Sequence, residues 1–463
     1  MRLAGLLFIL TGLTFQSAVA QQLTDYERLA RQNNRPNIYI DVITLPGADD
    51  NTVALTPIFR LNYDFLPFRK LGSGTNGNEF ISTAGLNIEV FESPKEDLKP
   101  DKQVSIKGLK SIGRATWQDT AYAQSYDQTK SNERSLSGSM QVEVKSGYYT
   151  YFLKLNRAEG AQAQNSRSRN VRIFPYNKQQ NGDILLGSSV DDLQNPTSLK
   201  LINMGNNVPY RQDFYALIHL PGYDEDKSYT VQINRVEPAE KEDEAPERLE
   251  TMTEQTITNE QIHTGLKPAL KSSSNGININ LANTNSGHAY ALVKIPNKGF
   301  PNAIYQLRVT TDGQNRPVAQ RLFQSFWSDI PTSLLSLDVA IDMLRFIADK
   351  DTIKKIDDGS DKQRERKFRE FWKQKDPTPD TEYNELQAEY YRRIDHSYIE
   401  FSSDRTLGFN SDRGNIYIRF GPPNDTERMF PTDGATTEVW TYDSRKFIFK
   451  ATTGFGDFRL VSN

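Results

Sequence analysis

Before residue 330 the chain is dominated by short runs in which apolar and polar residues alternate with a period of two, the spacing of a strand with one buried face. Runs at 37–42, 58–63, 86–91, 140–144 and 148–155 are each bounded by Gly, Pro, Asn or Asp, the punctuation of turns. No helical periodicity interrupts them, so residues 37–157 are expected to form an antiparallel β-sandwich of Ig-like type. A small, polar stretch at 158–169 then reads as a linker. Alternation resumes at 171–174, 184–186, 214–218, 229–233, 277–281, 290–295 and 305–309, predicting a second sandwich over 170–330. Inside it the charged, proline-interrupted segment 237–250 is expected to be a long exposed loop, or a helix crossing the sheet edge.

From Pro331 the period changes. Leu334, Leu337, Ile341, Leu344 and Ile347 or Ala348 recur at the i, i+3, i+4 spacing of an amphipathic helix. Phe368, Phe371 and Trp372 mark a second helix, which Pro377 ends because proline disfavours the α region for its predecessor and lacks an N–H. Thr378-Pro379 resembles an N-cap with proline at the first helical position. A third helix should then carry Leu386, Tyr390, Ile394, Tyr398 and Phe401 on one stripe. Alternating runs at 416–420, 439–442, 447–449 and 458–461 predict a small sheet, which makes 331–463 an α+β domain.

The N-terminus changes the compartment expected for this architecture. A basic start at Met1-Arg2, an apolar run over 3–15 and Ala18-Val19-Ala20 before Gln21 have the form of a secretory signal peptide cleaved after Ala20. Residues 21–36 then form a polar leader or a short helix. No later run approaches the ~20 apolar residues that a bilayer span requires, so no transmembrane segment is expected after cleavage. The expectation is an exported protein, periplasmic, extracellular or at the cell surface. The sequence has no cysteine, which removes disulfides, thiolate ligands and thiol catalysis together. Its 463 residues suffice for about three domains built on packed cores. A formal net charge of −3 argues against nucleic acid as a partner.

The stretch 408–423, GFNSDRGNIYIRFGPP, followed by Glu438-Val439-Trp440-Thr441-Tyr442, resembles the signature of the GWxTD domain family, with Phe409 for the tryptophan and Ser411 for the threonine. Upstream, Phe371-Trp372 with Asp376-Pro377-Thr378-Pro379, then Asn384-Glu385, then Tyr390-Tyr391-Arg392-Arg393 resemble that family's FWxxxDPTP, NE and YYxR elements, in order. The resemblance covers residues 330–463 and, more loosely, the β-rich part before them. It implies a bacterial, signal-peptide-bearing protein and assigns no reaction. Phe409 keeps the aromatic anchor but lacks the indole donor, whereas Ser411 keeps a hydroxyl able to cap a turn.

Candidate chemistry is sparse. Residues 72–77 satisfy GxGxxG but lie between strand-like segments, not between a strand and a helix, and read as a hairpin loop. The four histidines have no ligand spacing, so neither a metal nor a cofactor is expected. Asp395-His396 on the third helix has the residue types for acid–base work, although a partly exposed His396 beside the aromatic stripe is the preferred reading of the pair. No serine sits in a GxSxG elbow. Asp412-Arg413 is the strongest polar candidate: Asp412 would accept turn N–H groups, and Arg413 would reach a carboxylate, Glu438 or Glu385. Gly408 and Gly414 carry backbone roles. The residues singled out are thus Trp372, Asp376, Glu385, Arg392, Asp395, Gly408, Phe409, Ser411, Asp412, Arg413, Gly414, Glu438 and Trp440.

Trp327, Phe371, Trp372, Tyr390, Tyr391, Trp440 and Tyr442 are expected to pack the core, with a ligand groove as the second reading. Two function classes remain. One is a non-enzymatic binding or scaffolding protein of the cell envelope, with an envelope protein or a surface glycan as partner. The other is an envelope hydrolase or carbohydrate-processing protein using carboxylates such as Asp376, Glu385, Asp395, Asp412 or Glu438.

Overall fold

The computed structural model describes residues 24–462 apart from 32–35, 50, 76, 97, 101, 158–163, 179–181, 238–244, 274–275, 286, 313, 315, 380–382, 433 and 453–456. The segment read as a signal peptide, half of the 158–169 stretch and the centre of the 237–250 insertion therefore lie outside the described residues. The chain forms two compact units, one over Arg35–Trp327 and one containing Ser328–Asn463 with the helix Asp25–Arg31. Among the described residues no helix is long and apolar enough to cross a membrane.

The first unit is built almost wholly of antiparallel strands. One sheet runs Ile38–Pro46, Thr52–Asn62, Ser135–Ser139, with Val142–Lys145 also on the central strand. A second runs Arg169–Ile173, Gly147–Asn156, Asn78–Glu92, Arg69–Thr75, with Ser111–Ala123 also paired to Asn78–Glu92. Alternate residues such as Leu86, Ile88 and Val90 turn inward against Leu55, Phe59 and Leu61. Arg69–Thr75 and Asn78–Glu92 form a hairpin in which Thr75 pairs with Asn78; residues 72–75, read as part of the loop, belong to its first strand.

The stretch read as a linker is a correction. Gln164–Asn165 and Arg169–Ile173 double back onto Gly147–Asn156, so they close a hairpin of the first β-region. Small polar residues suit an edge strand as well as a linker, and only the cross-strand partner distinguishes the two. The 237–250 insertion is corrected in part, because Glu247–Thr256 is a strand paired to Tyr229–Glu237.

The second β-region combines a five-stranded sheet with a closed barrel of six strands, Ile184–Val190, Ser198–Leu201, Gly276–Asn283, Ile262–Ser273, His288–Ile295 and Phe214–His219. The sheet runs Asn207–Pro209, Ala319–Phe326, Ile304–Thr311, Tyr229–Glu237, Glu247–Thr256. Phe214, Ile218, Ala291 and Val293 of the barrel pack on Val231, Ile233, Leu307 and Phe323 of the sheet, a sandwich-like stacking. The barrel's remaining apolar residues, among them Leu199, Leu217 and Tyr290, continue the core of the first β-region. Polar bonds join the same two regions: Asp183 accepts from the Thr44 amide at 2.7 Å, and Arg321 pairs with Asp41 at 2.5 Å.

In the second unit the expected first helix is divided into a 3₁₀ turn at Thr332–Leu335, an α-helix at Leu337–Met343 and another 3₁₀ turn at Leu344–Phe346. Helices Lys350–Asp357 and Asp361–Lys373 follow, the latter opened by a Ser360–Gln363 capping box. The next helix, Glu385–Phe401, begins later than Thr378-Pro379 suggested. Its cap is Asn384, whose side chain accepts from the Gln387 amide at 2.8 Å. Ala388, Tyr391 and Ile394 form its buried face, and Leu386, expected on the stripe, is exposed.

A further correction concerns 416–420. These residues continue the helix Asp412–Phe420 and are not a strand. The helix lies between two apolar clusters: Ile418 joins the helical core with Phe409 and Tyr391, while Ile416 and Tyr417 pack beneath Trp440 and Phe449 of the sheet. Apolar residues on opposite sides of a helix imitate a period of two. The remaining strands, Asp425–Met429, Thr437–Tyr442, Arg445–Ala451 and Phe458–Ser462, form one antiparallel sheet in chain order.

Candidate functional site

The signature residues converge on the start of the Asp412–Phe420 helix. Ser411 is its N-cap: its hydroxyl accepts from the Gly414 amide at 3.0 Å and donates to the Gly408 carbonyl at 2.6 Å. One side chain thereby ties both glycines to the helix start. A Cβ on Gly408 would collide with the Ser397 carbonyl oxygen, and one on Gly414 with the Gly408 carbonyl oxygen. The signature glycines are thus sites of backbone contact between the turn, its helix and the Glu385–Phe401 helix.

Phe409 fills the space beneath. It is 1% exposed, with ring centroids of Tyr26 at 5.0 Å, Tyr398 at 6.1 Å and Phe346 at 6.5 Å. Asp412 accepts the Leu460 amide at 2.8 Å, so it anchors the last strand of the sheet and not its own turn as expected.

Arg413 reaches Glu438, the first of the two carboxylates proposed for it. The pair is 3.5 Å apart, with side chains 9% and 3% exposed. Glu438 also accepts from Arg428 at 2.5 Å and from the Trp440 indole at 2.6 Å. The guanidinium of Arg413 lies over the rings of Phe458 at 4.2 Å and Phe401 at 5.0 Å, which offset part of its lost hydration. Burial still pulls the Arg413 pKa below its ordinary value, with Glu438 acting against that pull.

The other candidates are dispersed. Asp376 accepts the Thr378 amide at 2.8 Å, and Glu385 accepts the Thr378 hydroxyl at 2.5 Å. Asp395 accepts from the Tyr26 hydroxyl at 2.7 Å and the Thr332 amide at 2.8 Å, fastening two segments to the Glu385–Phe401 helix. Arg392 pairs with Asp329 at 2.7 Å. Trp372 is buried among Phe371, Tyr390 and Tyr391, and Trp440 among Phe401 and Phe449. These aromatics pack the core. His396 is exposed and stacks on Tyr417 with centroids 4.2 Å apart. No cluster of three or more His, Asp or Glu able to hold a metal occurs among the described residues. Chemically, the assembly can lock a turn, a helix and a sheet together.

Two features of the first unit escaped the sequence reading. His219 is 1% exposed, and neither of its ring nitrogens has a hydrogen-bond partner. Its ring stacks on Tyr176 at 4.3 Å and lies 5.2 Å from Tyr290 and 5.7 Å from His288. Desolvation, aided by His288, pulls its pKa down to about 3. The second feature is a concavity of about 390 Å³ on the outer face of the five-stranded sheet, lined by Arg248, Arg308 and Arg316 among carboxamides. Its signal was present in the outward positions of the strands, where Gln, Asn and Arg recur at Gln232, Asn234, Gln306 and Arg308.

No curated protein matches this chain. The family model of the GWxTD domain matches residues 305–457, from the strand Ile304–Thr311 to the edge of the last strand, and the chain therefore carries a GWxTD domain.

Proposed function

We propose that this is an exported cell-envelope protein that works by binding or scaffolding, with the β-rich unit as its Ig-like interaction surface and the C-terminal unit as its support. The observation that carries this reading is the employment of the signature side chains. Asp412, Arg413, Glu438, Asp395 and Ser411 each hold one element of the C-terminal unit to another. A catalytic carboxylate pair would share a cleft with its substrate, as in glycosidases. Here Asp395 and Glu438 are bound by unrelated partners.

The form of residues 1–20 supports export, and the envelope supplies the partner, a protein or a surface glycan. The test is crosslinking of the full chain in its native envelope, with crosslinked peptides mapped by mass spectrometry, alongside turnover assays on a glycan panel. Crosslinks concentrated in residues 35–327 support the reading. Turnover that disappears in Asp395→Asn or Asp412→Asn while the melting temperature is unchanged would sink it in favour of a hydrolase.

A further inference from the structure

We infer that the exposed face of the helix Asp361–Lys373 docks the C-terminal unit on an anionic membrane surface, through the phosphates of lipid headgroups. The inference goes beyond the binding reading above and rests on its export half alone. In a chain of formal net charge −3, residues 350–375 carry ten basic side chains against six acidic ones. Two helices account for the segment, and each buries one apolar face: Ile356 in Lys350–Asp357, Phe368 and Trp372 in Asp361–Lys373. Lys362, Arg366, Arg369 and Lys373 recur at i, i+4, i+7 and i+11, so at 3.6 residues per turn they fall on one line along the second helix, turned away from Phe368 and Trp372. All four are exposed, and at 1.5 Å per residue the row runs about 16 Å.

The pairing around the row leaves it electropositive. Arg364 gathers Asp338, Asp357 and Asp361, the last two at 2.6 and 3.2 Å, and Lys367 holds Asp358 at 3.7 Å. The acidic turn between the helices is therefore neutralised by residues that lie off the row. Glu365 and Glu370 flank it: Glu365 pairs with Arg369 at 2.8 Å, and Glu370 accepts from Gln374 at 3.4 Å. Lys362, Arg366 and Lys373, with Lys350 and Lys354 on the preceding helix, have no ion-pair or hydrogen-bond partner among the described residues. Three properties of these cations select a membrane surface. The row lies on the convex side of a helix, whereas small ligands bind in concave sites. Lysines predominate, and their point charges on flexible stems suit a layer of phosphates, where recognition of a single carboxylate favours the rigid fork of arginine. No large apolar side chain is exposed between residues 350 and 375, so a protein partner would find no buried anchor there. Attachment through such a face is electrostatic and reversible, without insertion into the bilayer.

The test is co-sedimentation of the full chain, cleaved after Ala20 so that the apolar run at 3–15 does not itself bind lipid. The probes are vesicles of phosphatidylglycerol and phosphatidylcholine in equal parts, and vesicles of phosphatidylcholine alone. The expected result is binding to the anionic vesicles only, released by salt as the screening length falls from ~10 Å at 0.1 M to ~3 Å at 1 M. Lys362→Gln with Arg366→Gln and Lys373→Gln should weaken it about a hundredfold, at roughly fivefold per cation near a charged bilayer. All three side chains are exposed, so the melting temperature should not change. Lys362→Arg with Arg366→Lys and Lys373→Arg should bind as the parent does, because the surface reads charge and not donor geometry. Lys107→Gln with Lys145→Gln and Lys271→Gln removes the same charge from exposed positions of the first unit and should change little. Equal binding to neutral vesicles, unchanged affinity in the first glutamine variant, an equal loss in the second, or a loss in the charge-preserving swap would each overturn the inference. Retention on immobilised polyglutamate without binding to vesicles would overturn it in favour of an acidic macromolecule. Vesicles left unbound while crosslinks still concentrate in residues 35–327 would remove this surface alone and leave the binding reading standing.

Discussion

Glu438→Gln should unfold the C-terminal unit at a much lower temperature, although the substitution preserves volume and shape. Glu438 is the anion for two arginines of unequal standing. Arg428 is 48% exposed and can return to water when the charge is removed, so its loss contributes only ~0–1 kcal/mol. Arg413, 9% exposed and held between Phe458 and Phe401, has no such route. Removing the charge of one partner of a buried pair costs about 3–5 kcal/mol. For a unit of this size each kcal/mol lowers the melting temperature by about 2–4 °C, so the expected drop is roughly 6–20 °C. Differential scanning calorimetry of the full chain would measure it. Glutamine retains a carbonyl for the Trp440 indole, so the lost charge dominates the change. The double variant with Arg413→Met should recover much of the loss, since replacing both members of a buried pair is often near neutral. A shift below about 2 °C, or a double variant less stable than the sum of its singles, would refute the assignment of Arg413–Glu438 as the bond that joins helix to sheet.

His219 makes stability depend on pH. Its pKa is about 3 in the fold against an ordinary 6.5, so its contribution is complete above about pH 6.5 and is lost as pH falls toward 3, by up to about 5 kcal/mol. The buried carboxyl of Asp183, pushed up by desolvation, works in the opposite sense, so the measurement is the slope of urea-unfolding free energy from pH 7 to 4. His219→Phe should flatten that slope, and an unaltered slope would rule the ring out. Gly414→Ala should cost ~1–3 kcal/mol by overpacking against the Gly408 carbonyl, whereas Gly72→Ala, with open space around it, should leave the melt unchanged. Asp412→Ala should lower the melting temperature by several degrees, through loss of a charged acceptor for Leu460 worth about 1.5–3 kcal/mol. An unchanged melt would mean that Asp412 is held for some purpose other than stability.

What the sequence by itself determined is local or one-sided. Strands such as Asn78–Glu92 could be read because each buries one face, so their apolar positions alternate. The capping role of Ser411 and the pairing of Arg413 with Glu438 followed from side-chain chemistry, with Glu385 as the alternative partner. The signature itself lay in plain order from Phe371 to Trp440. Tertiary structure decided everything that depends on a second partner. The helix Asp412–Phe420 has the alternation of a strand because it is covered on two sides, and no pattern within nine residues reveals how many neighbours a segment has. The described end of the stretch read as a linker does not separate domains, because Gln164–Asn165 and Arg169–Ile173 find their partner in Gly147–Asn156. The arginine-lined hollow joins Gln232, Arg308 and Gln320, residues far apart in the chain, through strand register alone. Register is a property of paired backbones, and a sequence states only what each strand brings to the pairing.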